Sequence, residues 1–397
     1  MHVKTVRQYY LLSFLASAGG MQIISAVYTT FLMKYGLNLF QVNLVNAAFF
    51  TTLFICEIPT GVFADVFGRK SSYVASAALM SVSMFVYGSS HSLAGFLSAE
   101  MIAAIGMTFR TGAFQAWLVD SLKHHGYEGT FNKIFGRASL YNQIGGGIGA
   151  ITGAYLSVKN PALPWFVGSI GMALVTILAF FIMREEYFVR IPFSWKGGFR
   201  SIHDTAISSI RYGSQDKAVR FILIVTFVQI YSVQALNMYW QPFFRNLQIK
   251  DEHLGFVFTG MMFFIAFGAF IASRINAEGK ERKIILGSMI YVGVTVSLAA
   301  ISPMLSVAVL WFLLHESGRG FWAPMSDSYL HQRIPSHQRA SISSFCGMAP
   351  HIGGAVGLVI SGAIAQTFGI TVAWIVAGIV LIIGAILLYK NGNSFNQ

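Results

Sequence analysis

Long apolar runs separated by short polar breaks make up most of this chain. A helix that crosses roughly 30 Å of hydrocarbon needs about 20 apolar residues. The pattern predicts twelve membrane-spanning helices: Tyr9–Met33, Gln41–Asp65, Ser71–Ser89, Ala94–Leu118, Leu140–Leu156, Pro164–Met183, Phe221–Tyr239, Leu254–Ile275, Ile284–Ile301, Leu305–Ser326, Ser341–Phe368 and Thr371–Leu388. The expected fold class is therefore an all-α membrane protein.

One longer polar stretch divides these spans into six and six. The predicted organisation is an N-terminal six-helix bundle over 1–183, a cytoplasmic linker over 184–220 and a C-terminal six-helix bundle over 221–397. The two halves share a repeated motif: the tripeptide Arg-Ala-Ser opens the fifth span at Arg137 and the eleventh at Arg339, and glycines follow at four-residue spacing. A duplicated unit explains this internal repeat, and such repeats place a substrate site between the halves near the midplane.

Composition excludes a soluble fold. Hydrophobic residues make up 55% and charged residues 11% of the chain, whereas soluble domains carry about 25% charged residues. Cys56 and Cys346 both lie inside apolar runs, so cysteine spacing predicts neither a disulfide framework nor a metal site.

The net charge of +12 reflects topology. With the N-terminus inside, most Lys and Arg residues fall in inner loops, as the positive-inside rule requires. We expect a multi-pass protein of the bacterial inner membrane with both termini in the cytoplasm. Anionic lipid is then the expected polyanionic partner, and nucleic acid is not expected.

Residues 61–70 (GVFADVFGRK) form the loop between the second and third spans. This loop resembles the signature G-x-x-x-D-R-x-G-R-[RK] of the major facilitator superfamily (MFS). Together with Glu57–Thr60 it is similar to a bacterial subgroup with the pattern E-I-P-T-G-x-x-A-D-x-x-G-R-K. Val66 departs from the signature, since an arginine is usual there.

The resemblance implies the MFS fold, with 12 transmembrane helices in two pseudo-symmetric six-helix bundles. It also implies a gating motif in which Asp65 meets the N-terminus of the eleventh helix and Arg69 or Lys70 pairs with Asp120. The expected members of this motif are Gly61, Asp65, Gly68, Arg69, Lys70 and Asp120.

Charges inside spans cost at least about 2.5 to 3.5 kcal/mol at a helix centre and mark functional sites by default. Arg110 lies in the fourth span, and His315, Glu316 and Arg319 lie in the tenth. In the superfamily the first, fourth, seventh and tenth helices line the cavity, so the resemblance implies that the two arginines face one another. The structural alternatives are an intrahelical Glu316–Arg319 pair, and a pair of Arg110 with Glu57 or with another helix that serves packing only.

Further candidates are polar residues at membrane depth. The predicted substrate-binding set is Arg110, Arg319, His315, Glu316, Gln22, Tyr28, Trp117, Gln229, Asn237 and His351; Glu57 and Glu316 are the predicted proton-coupling residues. Hydrogen bonds to neighbouring helices are an equally open interpretation of the uncharged ones.

These features predict a monomeric secondary transporter that works by alternating access, coupled to protons and without a cofactor. Two guanidinium groups suit a carboxylate, which favours an organic anion such as a siderophore-like compound. Multidrug efflux by proton antiport is the alternative, although the fifth span lacks the proline usual in such exporters. A membrane-embedded enzyme using His315, Glu316 and His351 is an alternative from another class, and a non-transporting receptor is a third.

Overall fold

The computed structural model describes residues 2–188, 216–333 and 339–390. Within these residues the secondary structure is helical. In the first half the helices are α1 His2–Ala18, α2 Tyr28–Lys34, α3 Leu39–Phe67, α4 Arg69–Ser89, α5 Leu93–Arg110, α6 Ala113–His124, α7 Asn132–Lys159 and α8 Leu163–Ile182. In the second half they are α9 Lys217–Asn246, α10 Leu254–Arg274, α11 Glu281–Ile301, α12 Leu305–Arg333, α13 Arg339–Phe368 and α14 Ile370–Lys390.

Each of the twelve predicted spans corresponds to one helix or to one interrupted pair. Nine segments of the described residues are long and apolar enough to cross a membrane. The other three spans, α4, α7 and α12, are more polar because they carry serines, glycines and buried charges. The fold is thus an all-α membrane protein with twelve spans.

Two spans that the sequence predicts as continuous are interrupted. The first stops at Ala18, passes through a short 3-10 helix at Met21–Ile23 and resumes at Tyr28 as α2. The fourth stops at Arg110 and resumes at Ala113. Gly112 has a φ of 76°, a left-handed conformation that glycine adopts without steric cost and that ends an α-helix.

The chain folds into two compact units. The first comprises Met1–Gly36, Ala48–Gly198 and Lys250–Thr259, and the second comprises Leu37–Ala47, Phe199–Ile249 and Gly260–Gln397. Each unit therefore includes one short segment from the other half of the sequence. The predicted domain boundaries stay predictions, because 189–215 of the linker lie outside the described residues.

Helix packing repeats between the units. In the first unit α4 packs on α5 and α8, and α1 packs on α7; in the second, α11 packs on α12 and α14, and α9 packs on α13. Counted as spans, the pairs three–four, three–six and one–five recur six positions later. The two bundles are thus pseudo-symmetric, as the internal repeat in the sequence indicated.

Small residues permit the closest of these contacts. A Cβ added at Gly149 of α7 would lie 2.7 Å from the carbonyl oxygen of Ala18, and one at Gly357 of α13 would lie 2.5 Å from that of Tyr231. Large apolar side chains such as Phe181 and Ile170 project outward instead, as expected of helices that contact lipid.

Candidate functional site

The break between α5 and α6 opens onto a cavity of about 440 Å³ within the first unit. Its lining includes Tyr9, Tyr73, Arg110, Phe114, Gln115 and Asn142. Arg110 is the last residue of α5. The C-terminal end of α5 and the start of α6 therefore both lie next to Arg110. The sequence identifies Arg110 as an intramembrane charge, but only the structure shows that the helix stops there.

Arg110 lines this cavity, and the described residues give it no carboxylate partner. In the parts of the chain that the structure describes, no Asp or Glu lies within ion-pair distance of its guanidinium group; Nη2 instead lies 3.2 Å from Sδ of Met107. The structural alternative of an Arg110–Glu57 pair is therefore not observed. Its positive charge is available to a ligand in the cavity.

An aromatic stack holds the first turn of α6. The ring of Phe114 lies between those of Tyr9 and Tyr73, at centroid distances of 4.4 Å and 4.2 Å. Gly112 occupies the cap position of α6 and has no side chain that could cap the helix, and the hydrogen bonds of the described residues include no side-chain acceptor at this N-terminus. Free N–H groups and the positive end of the helix dipole favour anions, so the N-terminus of α6 carries the same sign of charge as Arg110, whereas the carbonyl groups at the end of α5 carry the opposite sign.

A second group of charges is buried on α12 in the second unit. Arg319 Nη1 lies 2.9 Å from Oε1 of Glu316 and donates at 3.1 Å to Oδ1 of Asn237, on α9. Glu316 and His315 are fully buried, and Nε2 of His315 lies 3.5 Å from Oε1 of Glu316. The structure thus brings four of the predicted residues together, with Arg319 neutralised by its own helix.

His315 is oriented by the backbone. Its Nδ1 contacts the carbonyl oxygen of Phe312, which can only accept a hydrogen bond, so Nδ1 carries a proton. Nε2 is then the nitrogen whose protonation can change, and it is the one that faces Glu316. The arrangement can exchange a proton between an imidazole and a carboxylate.

Other predicted residues of the first unit lie outside the Arg110 cavity. Trp117 is buried and donates from Nε1 to the carbonyl oxygen of Arg184 at 2.8 Å, so its indole tethers the end of the sixth span. Gln22 accepts a hydrogen bond from Ser25 at 2.6 Å, and Tyr28 contacts the hydroxyl of Tyr87 at 3.3 Å. Glu57 is half-buried on α3.

Two predicted residues of the second unit lie apart from the charge cluster. Gln229 of α9 is 5% exposed, and its Nε2 has no hydrogen-bond partner among the described residues. His351 is half-buried on α13. Neither is in contact with Arg319 through a hydrogen bond that the structure shows.

Nearly the whole chain matches a known family. The model of the Major Facilitator Superfamily matches residues 10–212 and 222–394. The chain belongs to the Major Facilitator Superfamily. The predicted twelve-helix MFS fold and the recognition of the family from the signature loop are thereby confirmed, whereas the narrower subgroup stays a prediction.

Relatives and solved structures agree with this membership. The chain is 26% identical to the MFS-type transporter YxaM of Bacillus subtilis (strain 168), covering 94% of this chain and 93% of YxaM. It is 22% identical to the MFS-type transporter MJ1560 of Methanocaldococcus jannaschii, covering 93% and 94%. The crystal structure of the nucleoside transporter NupG aligns with a TM-score of 0.82 at 12% identity, over 97% of this chain and 98% of NupG. The chain is a multi-pass secondary transporter of the superfamily.

The superfamily loop makes contacts within the first unit. Nε of Arg69 lies 2.9 Å from Oδ2 of Asp120, one of the two pairings that the resemblance implied. Both side chains are about one-third exposed, and exposed ion pairs contribute at most about 1 kcal/mol. Asp65 is exposed at the end of α3, and its predicted role at the eleventh helix stays a prediction, as do the gating roles of Gly61, Gly68 and Lys70.

A carboxylate that the sequence analysis did not single out caps the start of α4. Oε1 of Glu185 accepts from the backbone N–H of Arg69 at 2.7 Å, and Oε2 accepts from that of Lys70 at 3.0 Å. Nearby, burial raises the pKa of the Tyr187 hydroxyl above its ordinary value, so this group stays protonated and donates to the carbonyl oxygen of Trp117. The segment after α8 thereby fastens both α4 and α6.

We expect Glu185→Ala to lower the free energy of unfolding by about 1 to 2 kcal/mol, because it leaves two N–H groups at a helix N-terminus without their charged acceptor. Thermal unfolding of the detergent-solubilised protein measures the change. Glu186→Ala is the matched control: this neighbouring side chain is about half exposed and lies 3.8 Å from Arg184. Equal effects of the two substitutions would show that the cap does not stabilise α4.

Proposed function

We propose that this protein is a proton-coupled secondary transporter of an organic anion. The observation that carries the proposal is the state of Arg110: a half-buried guanidinium group at membrane depth, in a cavity of about 440 Å³, with no carboxylate in ion-pair distance among the described residues. A charge in a span is costly and is retained for a partner. A carboxylate is a suitable partner because it accepts two parallel hydrogen bonds from one guanidinium group.

The surroundings of Arg110 support a negatively charged substrate. The uncapped N-terminus of α6 adds backbone N–H donors next to the guanidinium group. Half-helix N-termini at broken spans serve anionic substrate groups in other transporters. The aromatic lining from Tyr9, Phe114 and Phe135 suits the apolar body of an organic anion better than it suits a bare inorganic ion.

Arg319 has a different role in this proposal. Since it is already paired with Glu316 and hydrogen-bonded to Asn237, a second carboxylate would compete with an existing partner. We assign this cluster to proton exchange: protonation of Glu316 would release Arg319, and His315 presents a titratable nitrogen to the same carboxylate. Transport is then coupled to protons because the net charge of the second unit changes when Glu316 binds or releases a proton.

We further propose that the protein resides in a bacterial inner membrane with both termini in the cytoplasm. The distribution of Lys and Arg over the inner loops supports this orientation. Efflux of an amphipathic cation is the competing function. The aromatic lining suits such a compound, but the charge of Arg110 opposes it.

The test is a thermal-shift experiment on the purified protein with citrate, benzoate, inorganic phosphate and tetraphenylphosphonium. We expect an anion to stabilise the wild-type protein, and we expect Arg110→Gln to weaken the apparent affinity about 10- to 100-fold, since a charge-assisted hydrogen bond contributes about 1.5 to 3 kcal/mol.

Arg274→Gln is the matched control, because it removes the same charge from the exposed end of α10. The control should respond to anions as the wild-type protein does. Anion stabilisation that is equal in Arg110→Gln and the wild-type protein would refute the assignment of the site. Stabilisation by tetraphenylphosphonium alone would favour efflux of a cation.

A further inference from the structure

A buried carboxylate in the first unit takes no part in the function proposed above. Glu100 lies on α5 and is 5% exposed. It is seven residues after Leu93, where α5 begins, which places it about 10 Å along the helix from its start. The rule that identifies Arg110 as a functional candidate applies equally to Glu100, because both are charges within the fourth apolar run.

Two tyrosine hydroxyls lead from Glu100 to a less buried position. The hydroxyl of Tyr87, on α4, donates to Oε2 of Glu100. The hydroxyl of Tyr28 lies 3.3 Å from that of Tyr87. Tyr28 is half-buried and begins α2, where the first span resumes after its break.

The ring of Tyr87 is held in place, so its hydroxyl has a defined partner. It stacks on Trp165 of α8 at a centroid distance of 4.1 Å and an interplanar angle of 18°. On α5 it also stacks on Phe96, at 5.8 Å. In the contacts that the structure describes, the titratable groups that face this site are Tyr87 from α4 and Tyr28 from α2, and α8 contributes the indole of Trp165.

We propose that Glu100 is a proton-binding site of the first unit, loaded through the hydroxyls of Tyr28 and Tyr87. A proton arriving at the Tyr28 hydroxyl lets Tyr28 pass its own proton to Tyr87, and Tyr87 passes its proton to Oε2 of Glu100. Each phenol gives one proton and receives one, so the net result is one proton bound to the carboxylate. The functional meaning of this site rests on the proton coupling proposed above.

The site is separate from the anion cavity. Glu100 and Arg110 are ten residues apart on α5, about 15 Å along the helix axis, which is too far for a direct ion pair. A proton on Glu100 nevertheless changes the net charge of the unit that holds Arg110. An anion bound at Arg110 and a proton bound at Glu100 would together leave that net charge unchanged.

Infrared pH-difference spectroscopy of the detergent-solubilised protein, without substrate, tests the proposal. The proposals for Glu100 and Glu316 together predict two buried carboxyl groups whose carbonyl-stretch bands appear and disappear with pH in the wild-type protein. We expect Glu100→Gln to lose one of these bands and to keep the other, which is the one missing from the double variant Glu316→Leu with Arg319→Met. Glutamine retains an oxygen that accepts from Tyr87, so the fold should persist. Should Glu100→Gln fail to fold, Glu100→Asp serves instead and should shift the frequency of the band.

Glu128→Gln is the matched control, because Glu128 is exposed in the loop after α6, and this variant should keep the band. Tyr28→Phe should keep the band but slow its hydrogen–deuterium exchange, since the outer hydroxyl of the path is gone. A pH-difference spectrum of Glu100→Gln that keeps every buried-carboxyl band of the wild-type protein, or a wild-type protein without a titrating buried carboxyl group, would overturn the proposal. Since no anion is present, this result is independent of the test on Arg110.

Discussion

Gly153→Leu is expected to prevent the first unit from folding. A Cβ added at Gly153 of α7 would overlap the backbone carbonyl oxygen of Ile23, in the interrupted part of the first span. Overpacking costs about 1 to 3 kcal/mol when side chains can move aside. Here the obstacle is backbone, so the cost should exceed about 3 kcal/mol, a large part of the 5 to 15 kcal/mol that stabilises a typical domain.

The measurement is the yield of monodisperse protein in size-exclusion chromatography, followed by thermal unfolding of any protein recovered. Gly136→Leu is the control on the same helix: Gly136 is exposed, and a Cβ there would meet nothing within 4 Å. This control should fold at least as well as the wild-type protein, because leucine favours helix more than glycine does. Normal yield and stability of Gly153→Leu would mean that α7 and the first span do not approach as closely as described.

Arg319→Ala is expected to destabilise the second unit by about 3 to 5 kcal/mol, because it leaves the fully buried carboxylate of Glu316 without its cation. The same variant should lose proton-coupled transport. Thermal unfolding measures the first effect, and flux into proteoliposomes under a proton gradient measures the second.

The double variant Glu316→Leu with Arg319→Met separates the two effects. Replacing a buried ion pair by apolar side chains of similar size is often neutral or stabilising. We therefore expect the double variant to be more stable than Arg319→Ala but to transport no better. If Arg319→Ala unfolds at the wild-type temperature, Arg319 does not neutralise Glu316 in the folded protein.

The two intramembrane arginines differ in whether they have a carboxylate partner, and their neighbours in the sequence only partly indicate this difference. Arg319 has a glutamate three residues before it, and the intrahelical pair that this spacing suggested is present. Arg110 has no acidic residue at helical spacing, and the structure supplies none from another helix in the described residues. In the proposed function, the arginine without a carboxylate partner among the described residues is therefore the one that binds the substrate anion.

The twelve spans, the family and the internal repeat follow from the sequence alone. An apolar run of about 20 residues has few folds available in a membrane, because every backbone polar group must be hydrogen-bonded within the segment. The repeated motif at Arg137 and Arg339 indicates the duplication directly, because the same residue types recur at corresponding places in the two halves. The charge rule likewise selects Arg110 and Arg319 without any knowledge of packing.

The breaks in the first and fourth spans, the cap from Glu185 and the surroundings of Glu100 are decided by the tertiary structure. A glycine such as Gly112 is compatible with a continuous helix or with a left-handed turn, and the packing of Phe114 between Tyr9 and Tyr73 accompanies the second choice. The partner of a buried charge lies on another helix or on none, and spacing along the chain reports only partners on the same helix. Spans and charges are local properties of the chain, whereas the pairing of those charges depends on which helix faces meet.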